Sequence, residues 1–472
     1  MQTVTAVDKS SPCVAVTPSM VASAGKINRL SEITAVRRKL IGNMFWLYTL
    51  QGLNYMIPLA VLPYLIRVLG VERYGLVAFA QSLGQGFIFF TDYGFNLSAT
   101  KQISRVRHNH AELSRIFWTV MTVKGAFLLI GACILAIMLV TVPRFRADPA
   151  PYTIAYAAVL GSVLFPLWLF QGMERMSSIS VVSGSAKLLA AALFFVVIRR
   201  PSDYLLAITI QSGGLLLAGI LGFWTALARF KISFHRPSLK DLRQMLHEGW
   251  HLFISNAAGM LYATNNVFLV GLIAGNVEAG YFSAAEKTVR GVQGLFTPMT
   301  QAIYPHVSVL AAESRQRAAS FIRKTLLWMG LTSLVPSIFL IAFARPVALV
   351  LFGAAAYGCI VPLRWIALLP FVLTISSVLA IQTMIPFGLE RQLSRIYVTT
   401  GLASIAPLLT SIHYFGATGA AVVIMVIELF VVLAIWATLK RHGVDLRRGT
   451  AASKPDVSLE AKLSHECVGS VI

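Results

Sequence analysis

Residues 281–305 read YFSAAEKTVRGVQGLFTPMTQAIYP. A bilayer takes about 20 helical residues to cross, so this stretch is long enough. Yet Glu286, Lys287 and Arg290 lie inside its apolar body. At helical spacing Ser283, Glu286, Arg290, Gln293, Thr297 and Gln301 advance by three or four residues and share a face, and the other faces are Ala, Val, Leu, Phe and Met. A charge near the bilayer centre costs roughly 2.5–3.5 kcal/mol on insertion scales, so such groups turn toward a bundle interior or a watered cavity. The stretch therefore predicts one helix lining a central polar cavity.

The same apolar character extends outward from it. Of 472 residues 57% are hydrophobic and only 12% charged, and apolar runs of spanning length recur along nearly the whole chain. That pattern specifies an all-α polytopic membrane protein. The runs are continuous rather than alternating, which argues against a β-barrel. Residues 1–42 hold no apolar core with a cleavage site and read as a disordered cytoplasmic tail, and residues 442–472 read as a second cytoplasmic tail. Cys13, Cys133, Cys359 and Cys467 are scattered and suggest neither a disulfide framework nor a metal site.

Twelve spans fit the apolar runs. They lie at about 44–66, 75–95, 116–141, 152–170, 177–198, 204–228, 250–274, 281–305, 326–344, 363–385, 396–415 and 418–439. An even number puts both termini on one side of the membrane. That side carries 28 of the 40 Lys and Arg residues and the other carries 8, while Lys124, Lys187, Lys287 and Arg290 fall within spans. Basic residues accumulate in cytoplasmic loops, so both termini are expected in the cytoplasm. The net charge of +21 is then a topology signal rather than a nucleic-acid footprint. Residues 230–249, basic and proline-containing, read as a cytoplasmic linker between a six-helix bundle at 43–229 and another at 250–441. The linker's later part, at 239–252, is amphipathic and suits the membrane surface.

A shift of 205 residues places Gly70 on Gly275, Gly75 on Gly280, Ala80 on Ala285 and Gln51 on Asn256. It also sets Glu286 against Gln81 and Arg290 against Gln85. The match is short, but its size and place suit a parallel internal duplication of the kind transporters carry.

Polar residues inside spans mark the candidate site. Gln81, Gln85 and Asp92 share a face of the second span, and Gln51 and Asn54 belong to the first. Asn256 lies in the seventh span, Lys124 in the third, Lys187 in the fifth and Glu428 in the twelfth. The first, second, seventh and eighth spans are expected to flank a shared cavity, with bends at Pro58, Pro63 and Pro298. Each polar group also has a simpler role open to it. Glu286 and Arg290, four apart, could be a locked ion pair. Lys124 and Lys187 could snorkel, Arg67 could anchor an outer end, and amides in spans often bond neighbouring helices. Four cations against Asp92, Glu286 and Glu428 nevertheless leave a cationic interior that suits a phosphate-bearing substrate. The substrate-binding candidates are Lys124, Lys187, Lys287, Arg290, Gln51, Asn54, Gln81, Gln85 and Asn256. The ion-coupling candidates are Asp92, Glu286 and Glu428. No phosphate-binding loop, GxSxG, HExxH or His cluster is present, so neither an enzyme nor a cofactor is expected.

Asn43 to Ser104 contains LQGLNYMIPL, PYLIRVLG, YGLVAFAQ and TDYGFNLSAT. This block resembles the amino-terminal signature of Wzx-type polysaccharide flippases. LWLFQGMERM at 167–176 and AGYFSAAEKTVRG at 279–291 resemble later landmarks of the family. The resemblance, which runs from about residue 41 to 441, implies the fold of the multidrug/oligosaccharidyl-lipid/polysaccharide exporter superfamily. In that fold two six-helix bundles, related by a pseudo-twofold axis along the membrane normal, surround a lumen. It implies a polyprenyl-pyrophosphate-linked glycan moved from the cytoplasmic to the periplasmic leaflet of the bacterial inner membrane. The glycan would be destined for O-antigen, capsule or exopolysaccharide. It implies alternating access coupled to H⁺ or Na⁺, with a polysaccharide polymerase and a chain-length regulator as partners. A drug/cation antiporter and a lipid II flippase share the fold and stand as alternatives. A polysaccharide polymerase or ligase would need a sizeable outer loop, and a structural subunit would have little use for charges at mid-span.

Overall fold

A computed structural model describes residues 18–263, 265–446 and 450–451, with side chains described chiefly from residue 56 onward and, near the seventh span, again from 265. Gln51, Asn54 and Asn256 lie outside the described side chains. In chain order the helices are α1 (Pro18–Asp92), α2 (Phe95–Arg105), α3 (His110–Thr141), α4 (Pro143–Ala147), α5 (Ala150–Leu164), α6 (Leu167–Gly172), α7 (Met176–Val197) and α8 (Tyr204–Phe230). They continue as α9 (Leu239–Ala263), α10 (Asn266–Ala274), α11 (Asn276–Gln293), α12 (Thr297–Glu313), α13 (Arg315–Ala342), α14 (Ala344–Phe352), α15 (Ile360–Ile366), α16 (Leu369–Leu379) and α17 (Glu390–Arg441). A two-residue strand pair, Val444–Asp445 with Thr450–Ala451, follows.

Among the described residues six helical segments are long and apolar enough to cross a membrane, two of them made of consecutive helices (α5 with α6, α15 with α16). The chain is a multi-pass helical membrane protein. Its exposed surface agrees: Leu129, Val140, Trp224 and Val335 are each 68–72% accessible, side chains that water would not hold in such numbers but lipid would.

Several expected spans share one helix through a glycine break. α1 carries the first two spans and leaves helical dihedrals only at Gly70 (φ 75°, ψ 164°), and α17 carries the last two around Gly416 (φ 56°, ψ −132°). Only glycine takes such angles without a Cβ clash. Pro58 and Pro63 sit inside α1 with helical dihedrals, and the break between the first two spans falls at Gly70. α1 also begins at Pro18, so helix runs into the segment expected to be a disordered tail.

The 281–305 stretch is two helices, not one. α11 ends at Gln293, and α12 starts at Thr297 with Pro298 in its first turn. Proline has no N–H to give and fits a helix start, so the break falls just before it. The expected polar face is thereby divided. Ser283, Glu286, Arg290 and Gln293 stay on α11, and Thr297 and Gln301 belong to α12.

The repeat has a structural counterpart. Gly275 (φ 98°, ψ 176°) breaks the chain before α11 as Gly70 breaks α1. Beyond each break the helices cross at Gly75 and Gly280. A Cβ on Gly75 would sit 1.8 Å from the Asn276 carbonyl oxygen, and one on Gly280 would sit 2.5 Å from the Val71 oxygen and 3.3 Å from the Gly75 Cα. Ala80 and Ala285 are both fully buried. The largest core cluster runs through both halves at this crossing. Separate clusters fill the far end of each half, one around Phe117, Trp168 and Phe170, the other around Met329, Met384 and Val431.

Candidate functional site

Beside the Gly75–Gly280 crossing lies a cavity of about 550 Å³. Its walls come from α1, α5, α7 and α8, with Val267, Ser283 and Lys287 closing it from the second half. Small residues make the room: Ala155, Ala158, Ala186, Ala190, Gly84 and Gly214 all face it. The α5–α8 wall is itself tight, because a Cβ on Gly161 or Gly219 would meet backbone of the other helix within 2.6 Å.

Four of the twelve predicted site residues line this cavity: Gln81, Gln85, Lys187 and Lys287. The two lysines come from opposite halves of the chain. Lys287 also lies over the Tyr74 ring, 5.3 Å from its centroid. The Tyr74 hydroxyl hydrogen-bonds Ser283 Oγ at 2.9 Å, joining the halves at one edge of the cavity. Gln81 donates from Nε2 to Gln211 Oε1 of α8. Ser82, Ser183 and Ser212 add hydroxyls to the lining. Two cations, three amides and a row of hydroxyls within an apolar shell can hold a charged, hydroxyl-rich ligand.

Tyr74, Gln211 and Ser212 escaped sequence reading. Tyr74 precedes the predicted second span and so was left out, although it stands seven residues before Gln81 on the same face, and Gln211 is the only amide in an apolar helix. The nearest hint was Gln81, a polar group in an apolar span that calls for a polar neighbour.

The structure places the other charged candidates elsewhere. Lys124 is almost wholly buried; its Nζ lies 2.8 Å from Asp92 Oδ1 and 3.4 Å from the Ser162 carbonyl. Asp92 also accepts from Asn96 Nδ2 at 3.0 Å. The pair fastens α1 to α3 and α5. Arg290 donates from Nε and Nη2 to Glu286 Oε1 at 2.9 and 2.8 Å, which is the intrahelical pair. Glu428 is buried in α17, within reach of the Arg290 charge. Among the described residues no group of three His, Cys, Asp or Glu could hold a metal.

The linker is fastened from the cytoplasmic side of the predicted topology. Arg115 bonds Asp241 at 3.0 Å, Gln102 donates to Glu248 at 2.6 Å, and Trp118 donates to the Ser233 carbonyl at 3.0 Å. The hydroxyl and backbone N–H of Ser238 hold the Asp241 carboxyl below the usual carboxylate range. The amphipathic stretch expected at 239–252 is the first part of the unbroken helix α9.

Residues 40–311 match a family described as polysaccharide biosynthesis proteins. Over 389 residues the chain is 32% identical to an Escherichia coli (strain K12) protein named for O-antigen transport, covering 82% of this chain and 94% of the relative. A Shigella dysenteriae protein named likewise is 30% identical over 84% of this chain and 99% of its own. The fold is similar to that of lipid II flippase MurJ in an inward closed conformation, with a TM-score of 0.65 at 13% identity, covering 85% of this chain and 87% of that one.

Proposed function

Because the chain belongs to the polysaccharide biosynthesis protein family, we propose that it is a flippase. Its substrate on this reading is a polyprenyl-pyrophosphate-linked oligosaccharide, carried across the inner membrane from the cytoplasmic leaflet for assembly of a surface polysaccharide such as O-antigen. The observation that carries this reading is a shared cavity where Lys187 and Lys287, from opposite halves of the chain, meet amide and hydroxyl groups. The lysines take the place of water around the pyrophosphate, and Gln81, Gln85, Gln211 and the serines bond sugar hydroxyls. The polyprenyl chain stays in lipid, where its transfer costs nothing. A cationic lining also disfavours the cationic substrates of a drug antiporter.

The split of basic residues supports cytoplasmic termini. Ligand bound between the halves favours whichever arrangement brings Lys187 and Lys287 together, and release follows when the halves part. Asp92 and Glu286 are committed to Lys124 and Arg290. Glu428, buried at mid-span and within reach of the Arg290 charge, is the carboxyl we assign to coupling with H⁺ or Na⁺. A polymerase and a chain-length regulator would receive the product.

The deciding experiment is complementation of a strain lacking this transporter. Lys187→Ala and Lys287→Ala, at normal membrane abundance, should each cut polymer export about tenfold or more, the loss of one charged contact. Full export by the double variant sinks the proposal.

A further inference from the structure

The two halves are joined beside the Gly75–Gly280 crossing by two arginines, and the proposed function uses neither. Arg67, near the end of the first span, donates from Nε to the Leu351 carbonyl at 3.1 Å and from Nη2 to the Val350 carbonyl. Both carbonyls belong to the last turn of α14. Arg144, in α4, donates to the Leu272 carbonyl at 3.2 Å and to Asn276 Oδ1 at 2.6 Å. Leu272 lies in the last turn of α10. The final carbonyls of a helix have no partner within it and carry its negative pole, so each guanidinium satisfies orphan acceptors and a dipole together. Arg67 therefore does more than anchor an outer end, the role open to it from sequence.

The two contacts are near-equivalents under the duplication. The 205-residue shift carries position 67 to 272 and position 144 to 349. Arg67 on 350–351 and Arg144 on 272 are thus two versions of one contact, about a residue or two out of register. The arginine comes from the first half both times. Phe79 completes the joint: its ring lies beneath the Arg144 guanidinium at 4.6 Å and stacks on Phe268 at 5.4 Å. All of these groups lie at the end of the molecule that the predicted topology assigns to the periplasm. Tyr74 and Ser283, at the edge of the cavity, are one and three residues from the crossing glycines.

We propose that Arg67 and Arg144 form a paired latch that keeps the cavity shut on its outer side, and that the latch must open for substrate to leave toward the periplasm. Arginine on neutral carbonyls suits this role. Each bond is strong enough to hold a state, yet breaking it strands no buried carboxylate, and water or lipid headgroups can take both partners. The inference rests on the proposed cytoplasmic termini for which side is outer.

The test uses the full-length chain with its four cysteines replaced by serine, in a form that still supports export. A reporter, Ser82→Cys, places one thiol in the cavity. Labelling by a membrane-impermeant methanethiosulfonate is followed from the outer face of spheroplasts. With the latch intact, labelling should be slow. Arg144→Ala and Asn276→Ala should each speed it roughly tenfold, the loss of a charge-assisted bond. Arg144→Lys should fall between, because lysine keeps the charge but not the fork. Unchanged labelling in both alanine variants, at normal abundance, would overturn the latch. Labelling that rises equally at His108→Cys, on the opposite face, signals general unfolding and also counts against it. Orientation is read separately from Ser202→Cys and His108→Cys alone. Only the first should react from outside, and the reverse pattern refutes the orientation rather than the cross-half contact.

Discussion

The segment after Gly70 and the segment after Gly275 are the same device used twice, with different side chains. Both begin at a glycine in a conformation closed to other residues, both place a glycine at the crossing, and both bury an alanine five residues later. They then diverge. Gln81 and Gln85 face the cavity, and Gln81 bonds across to Gln211. Their counterparts Glu286 and Arg290 bond each other. On the second segment it is Lys287, one residue on, that faces the cavity. The backbone plan of a duplication is held by close packing, whereas each half can assign its polar residues separately, because one pairs across helices and the other within its own.

That comparison can be broken first at the crossing. Gly75→Leu and Gly280→Leu should both strongly reduce folded protein in the membrane, since either side chain runs into backbone that has no room to move; overpacking of this kind costs about 1–3 kcal/mol or more. If one half tolerates leucine and the other does not, the crossing is not shared equally. Fluorescence-detected size-exclusion of the solubilised protein measures this.

The next test separates the ion pairs from the cavity. Asp92→Ala leaves Lys124 buried without its carboxylate, which costs about 3–5 kcal/mol where the site is dry, so abundance and thermal stability should fall. Lys187→Ala should leave both close to normal while export falls. Arg290→Ala should cause a smaller loss of stability, because its guanidinium is 46% exposed. Export lost at normal stability in Arg290→Ala would return that residue to the site.

A milder effect is expected from the amide pair. Gln81→Leu and Gln211→Leu each remove one hydrogen bond between groups that water can reach, worth about 0.5–1.5 kcal/mol, and the double variant should be less harmful than the sum. Export rates of the two singles and the double give the coupling.

The smallest effect is at the linker. Ser238 lowers the folded-state pKa of Asp241, so the carboxylate stabilises the linker fully above the usual carboxylate range and loses that contribution as pH falls through the lowered value. Protease resistance of residues 230–249 should be flat from pH 8 to about 5 and drop only below about 4. Asp241→Asn should remove the pH dependence with a slight loss of resistance.

The membrane class was legible because it follows from hydrophobic length, and the glycine pairs 70/275 and 75/280 were legible because spacing is a local property. Lys187, Lys287, Gln81 and Gln85 were legible as anomalies, since polar groups in apolar spans need a reason. Lys124 and Arg290 looked identical by that criterion, yet the structure gives them carboxylate partners. Tyr74 was missed because it precedes the predicted second span, although it lies on the face of Gln81, and Gln211 was missed because it is the only amide in an apolar helix.

Sequence alone therefore determined that this chain crosses the membrane many times and that charge is held inside. Transfer free energy is summed residue by residue, and it needs no knowledge of neighbours. Which charges face a cavity and which are paired, and that Arg67 and Arg144 reach carbonyls of the other half, only the tertiary structure decided. The carbonyls that Arg67 and Arg144 reach lie more than a hundred residues away, and at 3 Å a rotation of one residue around a helix exchanges a ligand site for a salt bridge.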